Sequence, residues 1–341
     1  MFVDMDLNLS DCSDVLLPAI RTPPTQFACM SLSEDREVHA NSTEFLGTFM
    51  PPPIGTNLQA GLSQYRRRVG SDPLHNHPNR LDRTLKMCLD SGTVDEVTAS
   101  QIVTHRRIMI KLLYGTAQQL NVFLYNGVMY IEEYDPEPDR THTFVHNGEC
   151  IGSNFEALCT GKSPNGIHNL HARWYAGVTF NLGNLKIVLA GEVDCQKDSN
   201  VTGQTKDCLE LKTKCQDSKW SPAKLRWYFQ SSLIGVPTII LGWHKEGVLT
   251  TVDVIDVATM FDETTLQQRH DNVAVFLTSL RQHCMTHMMK KAGNPIWRVM
   301  TKQRLRRPTI RALNPEEVRS LNRHDARIGI LPSWFVRALQ R

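Results

Sequence analysis

Two short strings in this 341-residue chain set ionisable side chains at a spacing that matters, GEVDC at 191–195 and LELKT at 209–213. In an extended strand, side chains two apart share a face, so Glu192 pairs with Asp194 and Glu210 with Lys212. Their surroundings are apolar: Ile187, Val188, Leu189, Val193, Leu209 and Leu211. Burying carboxylates there is costly unless a counter-charge is supplied, and a divalent cation supplies it. Oxygen donors without a histidine or cysteine cluster suit Mg2+ or Mn2+ better than zinc. A lysine two residues after a ligating glutamate can orient or polarise an attacking water and offset phosphate charge, while one or two ions activate that water and stabilise the leaving oxygen. The chemistry open to such a constellation is phosphodiester hydrolysis. The plainer alternative is a pair of half-buried strands whose exposed charges meet across the ladder. E-x-D and E-x-K both recur by chance, and by themselves the two motifs weigh evenly between these readings.

The elements that must position these residues are legible as extended runs. Arg173–Leu182 and residues 185–195, joined by Gly183-Asn184, are followed by 208–213, and the three are expected as neighbouring strands of one sheet. Residues 121–131 carry aromatic and β-branched side chains on both sides of Asn126-Gly127, a pair that tolerates the positive φ of a two-residue hairpin turn. Ser221-Pro222 opens a helix through residue 233, because serine caps free amides and proline fits the first turn. Strands are expected over 236–243 and 248–254, and an amphipathic helix over 272–290. Residues 1–80 mix apolar pieces with Pro23, Pro24, Pro51, Pro52, Pro53, Pro73 and Pro78, which predicts N-terminal arms and loops with a flexible start. Residues 81–341 are expected to form a single catalytic domain, onto which that N-terminal part can pack. The class is α+β, with mixed β-sheets flanked by helices.

Composition narrows the field. With 41% hydrophobic and 21% charged residues the chain is an ordinary globular one. A formal charge of +3 is too mild to declare a nucleic-acid partner. The clusters Arg66-Arg67-Arg68, Arg106-Arg107 with Lys111, and Lys302, Arg304, Arg306 and Arg307 read as solvated surface or as phosphate contacts, the last also as a nuclear address. Nine cysteines without a C-x-x-C argue against a disulfide framework and a structural zinc. Asp4, Asp6, Asp11 and Asp14 stand where a secretory leader needs positive charge, and the chain has no apolar stretch of ~18 residues. A nuclear or cytoplasmic location, no secretion and no membrane partner are therefore expected. His75, His77, His168 and His171 lack paired ligand spacing. Trp174, Tyr175, Trp227, Tyr228 and Phe229 could stack on bases, but their strand and helix positions favour core packing, and Met285, Met288 and Met289 read as gap-fillers at a helix interface.

In order along the chain the motifs resemble those of the eukaryotic decapping exoribonuclease family, the DXO-type enzymes and their fungal relatives, which have a PD-(D/E)XK nuclease core. They are HRRIMIKLL around Arg106, GSNFE ending at Glu156, GEVDC and LELKT; downstream, Gln230 in WYFQSSLIGVP and LPSWFV at 331–336 match as well. The resemblance is read from residue 100 onward. It implies that Glu156, Asp194, Glu210 and the Leu211 backbone carbonyl ligand two divalent ions, Mg2+ or Mn2+. It implies further that Glu192 shares in ligation or holds a metal-bound water, that Lys212 contacts the nucleophile, and that Arg106 and Gln230 engage RNA phosphates. Glu192, Asp194, Glu210 and Lys212 would be the catalytic set. Two departures stand out: Ser153 replaces an aromatic or apolar residue, and Arg107 replaces a glycine after the motif arginine, which leaves Arg107 a competitor of the favoured Arg106.

What the resemblance implies is metal-dependent hydrolysis at RNA 5′ ends in RNA quality control. Incomplete or atypical caps, including nicotinamide-type caps, and 5′ phosphates would be removed, with 5′→3′ exoribonuclease activity in some members. The partners implied are RNA carrying such an end and a nuclear 5′→3′ exoribonuclease. The rival readings are a non-catalytic RNA 5′-end binding protein or exoribonuclease-supporting partner, and a DNA exonuclease of the same superfamily.

Overall fold

The computed structural model describes residues 5–6, 18–71, 80–134, 147–164, 171–218, 221–288, 295–305, 307–322 and 326–340. Its strands up to residue 133 are β1 (Met5–Asp6), β2 (Thr25–Leu32), β3 (Val38–Ala40), β4 (Gly47–Thr48), β5 (Ile102–His105), β6 (Gln118–Tyr125) and β7 (Val128–Glu133). They continue with β8 (Arg173–Leu182), β9 (Leu185–Val193), β10 (Cys195–Gln196), β11 (Cys208–Cys215), β12 (Thr238–Lys245), β13 (Val248–Asp256), β14 (Ile296–Thr301) and β15 (Thr309–Ala312). The helices are α1 (Leu62–Ser71), α2 (Asp82–Asp90), α3 (Val94–Thr98), α4 (Arg106–Tyr114), α5 (Asn147–Cys159), α6 (Ser221–Ser232), α7 (Glu263–Met288), α8 (Pro315–Leu321) and α9 (Ser333–Ala338).

Ten strands form one sheet in the order β1-β15-β14-β6-β7-β5-β9-β8-β2-β3, and five form a second in the order β13-β12-β11-β10-β4. Both are mixed, since β5 runs parallel to β7 and β9, and β11 parallel to β12. The expected α+β class holds. The expectation that β8, β9 and β11 share one sheet does not. The chain leaves the ten-stranded sheet at Val193, turns at Asp194 and enters the five-stranded sheet as β10, where Cys195 stands opposite Leu209 of β11. Alternation tells which side chains share a face, but it does not tell which ladder a strand joins.

The hairpin at β6–β7 turns on Asn126 and Gly127 with φ of 49° and 80°, as the dipeptide predicts. The N-terminal region is more regular than arms and loops. β2 is an eight-residue strand paired with both β3 and β8, and α1 has ten residues. Pro23 and Pro24 precede β2, so they limit where it starts and leave its ladder intact. Of the start of the chain, expected to be flexible, residues 1–4 and 7–17 lie outside the described residues, while Met5 and Asp6 pair with β15. α7 begins earlier than residue 272 because Asp262 accepts hydrogen bonds from the Thr265 amide and hydroxyl at 2.7 and 2.9 Å, while its polar first turns hide the helical period. Residues 289–290, Arg306, His75, His77, His168, Pro73 and Pro78 lie outside the described residues, as does the side chain of Met288.

Two apolar layers enclose the large sheet. On one face Val122, Ile187 and Leu189 pack with Leu112 of α4, Phe229 of α6 and Phe276 of α7. On the other, Tyr130 and Val188 meet Leu85 and Met87 of α2 and Phe335 of α9. Each such side chain contributes about 1.5–3 kcal/mol when fully buried. Trp174 belongs to this core, with its indole N–H donating to Ser42 O at 3.0 Å, and Phe229 is buried too. A third cluster seats Ile151, Phe155 and Cys159 of α5 on Leu209, Leu211 and Ile240 of the small sheet. The eight described cysteines are free thiols, and no described helix is long and apolar enough to cross a membrane.

Candidate active site

The seam between the sheets gathers the motif residues. Glu192 is next to last in β9, Asp194 is the turn between sheets, and Glu210 and Lys212 lie on β11. α5 packs on β11 and carries Glu156, while Arg106 opens α4 and Gln230 lies on α6. Asp194 Oδ2 accepts the Leu211 amide at 2.6 Å, a bond that holds the turn against β11.

Glu210 is fully buried. Its Oε1 accepts from Lys212 Nζ at 2.5 Å and from Gln230 Nε2. Its Oε2 has no hydrogen-bond partner among the described residues, and Arg106 Nη1 stands 3.8 Å away. Lys212 Nζ also donates to Leu211 O at 3.1 Å and lies 3.8 Å from Asp194 Oδ2. The lysine thus bridges the acids of both motifs.

Arg106 is placed by the strand before it. His105 is opposite Ala190 in the β5–β9 ladder, and the helix starts at once, so Arg106 emerges beside Gly191. A Cβ on Gly191 would lie 2.7 Å from Ile234 Cγ2 and 2.8 Å from Arg106 Cδ, so the glycine of GEVDC makes room for the arginine. Arg106 Nη1 donates to Gln230 O at 3.1 Å. Arg107 points elsewhere: it is 62% exposed, with Nε 3.4 Å from Glu133 Oε2. The geometry separates the two arginines that the sequence leaves in competition.

Three residues outside the motif roles shape the site. Asn154, fully buried within GSNFE, donates to Leu58 O at 2.8 Å and Ala60 O at 2.9 Å, tying α5 to the segment that leads into α1. Arg173 Nε lies 2.7 Å from Glu192 Oε1, and Tyr175 is opposite Glu192 in the β8–β9 ladder. A signal for Arg173 exists in the sequence: the two-residue turn at Gly183-Asn184 fixes the hairpin register and sets Arg173 level with Asp194. Asn154 has no such signal, because its partners are distant in sequence.

The electrostatics show a site short of positive charge. Burial, then the neighbouring Asp194, pushes the Glu156 carboxyl up to about 8, and the same two causes raise Glu210. Burial works against the charge of Lys212, but Glu210 and Asp194 outweigh it and raise the lysine. Arg173 is raised in the same way by Glu192 and Glu156. Among the described residues no three acidic, histidine or cysteine side chains stand as a ready ligand set; Lys212 bridges Glu210 and Asp194, and Arg173 holds Glu192. The enclosed, donorless Glu210 Oε2, with carboxylates and the Leu211 carbonyl as hard oxygen donors, fits a hard divalent cation.

The sequence model of the family described as RAI1 like PD-(D/E)XK nuclease matches residues 22–336, starting well before the motif-based resemblance at residue 100. The decapping nuclease RAI1 of Chaetomium globosum is 25% identical over 307 residues, covering 81% of this chain and 75% of that protein. The decapping and exoribonuclease protein of Bos taurus is 26% identical over 273 residues, 70% of this chain and 68% of that one. The crystal structure of Candida albicans Rai1 in complex with pU5-Mn2+ superimposes with a TM-score of 0.71, covering 99% of this chain and 100% of that one; at 19% identity this likeness concerns the fold.

Proposed function

Because this chain belongs to the RAI1-like PD-(D/E)XK nuclease family, we propose that it is a metal-dependent hydrolase of RNA 5′ ends. It removes incomplete or atypical caps, nicotinamide-type caps among them, and 5′ phosphates, with 5′→3′ exoribonuclease activity at the same site, as part of RNA 5′-end quality control. The observation that carries this reading is the knot at the sheet seam, in which a fully buried Glu210, one oxygen of which has no hydrogen-bond partner among the described residues, is held by Lys212 and Gln230 beside Asp194. Exposed charges paired across a ladder would not be enclosed in this way.

Glu156, Asp194, Glu210 and the Leu211 carbonyl would hold Mg2+ or Mn2+, two ions in all, with Glu192 sharing in ligation or holding a water. When bound, the ions supply an activated water and neutralise charge on the attacked phosphate. Lys212 keeps its proton, because the acids around it raise its pKa, so it acts as a fixed cationic donor toward the reacting oxygens and not as a base. Gln230 fixes the Glu210 carboxylate and its carbonyl fixes Arg106. That leaves the remaining N–H groups of Arg106 for phosphate, in the forked geometry that suits such oxygens. Contacts of this kind read backbone and end chemistry, so base preference is weak. The names of the relatives support a nuclease, and the Candida albicans complex supports Mn2+ and RNA at this fold. A nuclear exoribonuclease as protein partner and a nuclear or cytoplasmic location belong to the same proposal; free thiols suit a reducing compartment.

The test incubates wild type and Glu210→Ala with 5′-monophosphate, triphosphate, unmethylated-cap and nicotinamide-capped RNA, each with Mg2+, Mn2+ or a chelator. Metal-dependent release of 5′ products by wild type, lost in the variant, is the expected result. Wild type that binds these ends and cleaves none would overturn catalysis and leave a 5′-end binding protein.

A further inference from the structure

On the α2 side of the large sheet, beyond Glu192, a cation stands that the acid cluster does not engage. Tyr175 and Glu192 are ladder partners, so their side chains share a face, and Arg173, two residues before Tyr175, shares it too. α2 lies across this face, with Met87 so close to Gly177 of β8 that a Cβ there would overlap the Met87 methyl. Gly177 and Tyr175 are two apart on one strand face. One helical turn before Met87 is Arg83, half-buried and, among the described residues, with neither ion pair nor hydrogen bond. Burial, then Glu192, pushes the Tyr175 hydroxyl up to about 12, against the pull of Arg83, Arg173 and Arg106.

Of these three guanidiniums, Arg173 is committed to Glu192, and Arg106 to the Gln230 carbonyl beside Glu210. Among the described residues Arg83 alone of the three has its charge unmatched by a protein acid, and holding a charge partly out of water without a partner is unfavourable. An anion brought by a ligand removes that penalty.

Resting on the hydrolase reading, we propose that Arg83, over the sheet face that carries Tyr175, is a subsite for the phosphoanhydride chain of a triphosphorylated or pyrophosphate-capped RNA 5′ end. It favours such ends over a 5′ monophosphate. The ions proposed at the seam would offset its carboxylates, Glu156, Glu192, Asp194 and Glu210, and serve the attacked phosphate, whereas each further phosphate of an anhydride chain adds negative charge that a protein cation beyond the seam can receive. Arg83 offers a planar fork suited to phosphate oxygens, and Tyr175, on the same sheet face as Arg173, offers an O–H donor.

The experiment measures binding in a Glu210→Ala background, with Mg2+, of one RNA sequence bearing a 5′ hydroxyl, monophosphate, triphosphate or nicotinamide cap, by fluorescence anisotropy. Adding Arg83→Gln should weaken the triphosphate or capped RNA by about tenfold, the worth of a charge-assisted contact, and the other two by less than twofold. Which of the first two responds identifies the source of the phosphoanhydride. Equal loss for all four ends, or loss for none, overturns the proposal. If Arg83→Gln lowers the unfolding midpoint, Arg83→Met carries the test: it keeps an apolar stem of similar length and removes the charge, should lose the triphosphate or cap affinity as glutamine does, and overturns the proposal if all four affinities stay unchanged. Wild type that cleaves none of these RNAs fails the hydrolase reading separately, because the binding assay needs no turnover.

Discussion

Replacing Asn154 with alanine removes a donor that serves two carbonyls at once. Its amide gives hydrogen bonds of 2.8 and 2.9 Å to Leu58 O and Ala60 O, and the residue is fully buried. Each such bond contributes about 0.5–1.5 kcal/mol net, so the pair contributes about 1–3 kcal/mol, and the small cavity left by the amide adds to the loss. Against a total stability on the order of 5–15 kcal/mol that is a measurable fraction. Urea unfolding should show Asn154→Ala destabilised by about 2–3 kcal/mol. Asn154→Asp should be at least as damaging, since a carboxylate would face two carbonyl oxygens without a donor. Glu156 is two residues on in the same helix, so metal-dependent cleavage should need more Mn2+ in the alanine variant than in wild type, even under conditions where both are folded. A loss below about 0.5 kcal/mol, or an aspartate variant as stable as wild type, would refute the idea that this amide clamps α5 to the segment before α1.

Gly191→Ala would put a methyl 2.7 Å from Ile234 Cγ2 and 2.8 Å from Arg106 Cδ; the arginine stem gives way first, so kcat/KM on RNA should fall at least about tenfold while unfolding free energy drops by only about 1–3 kcal/mol, and retained activity would contradict the placement of Arg106. Burial, then the charge of Arg21, depresses His270 from 6.5 to about 4. In the pH window between those values the unfolded chain binds a proton that the native chain refuses, so the stability contributed by neutral His270 is full above pH 6.5 and is lost as pH falls toward 4. Urea unfolding of wild type and His270→Gln at pH 7.5 and pH 5 should therefore show a larger acid loss for wild type, and parallel losses would contradict the assignment.

Much of this fold was legible because its strands carry strong local signals. Asn126-Gly127 and Gly183-Asn184 are turns whose backbone demands are met by the residues present, and apolar runs flank each. The motif acids were legible because the i, i+2 spacing survives in any sheet. The division into two sheets was not, since Asp194 breaks β9 from β10 without a glycine or proline to announce it. β2 was masked by the prolines before it, and its place between β3 and β8 depends on partners distant in sequence. Arg173 could have been found from hairpin register. Asn154 and Arg83 could not, because one bonds to carbonyls of a remote segment and the other depends on how α2 crosses the sheet.

The two-sheet arrangement has a consequence for how the site is held. If β9 and β11 were neighbours in one ladder, backbone hydrogen bonds along their length would fix Glu192 relative to Glu210. Here the two acids belong to different sheets, and the link between them runs through the Asp194 turn, the Asp194–Leu211 bond and Lys212. These contacts are themselves made by the charged side chains of the site and by the Leu211 backbone amide. Assembly of the reacting groups and assembly of the seam are then one event, in which Lys212 offsets carboxylate repulsion that would otherwise push the sheets apart. Removing Lys212 alone leaves Glu210 buried without its nearest counter-charge, so a lysine loss costs the seam as well as the chemistry. A divalent cation among the same carboxylates acts in the same sense, because it draws together oxygens from α5, the Asp194 turn and β11.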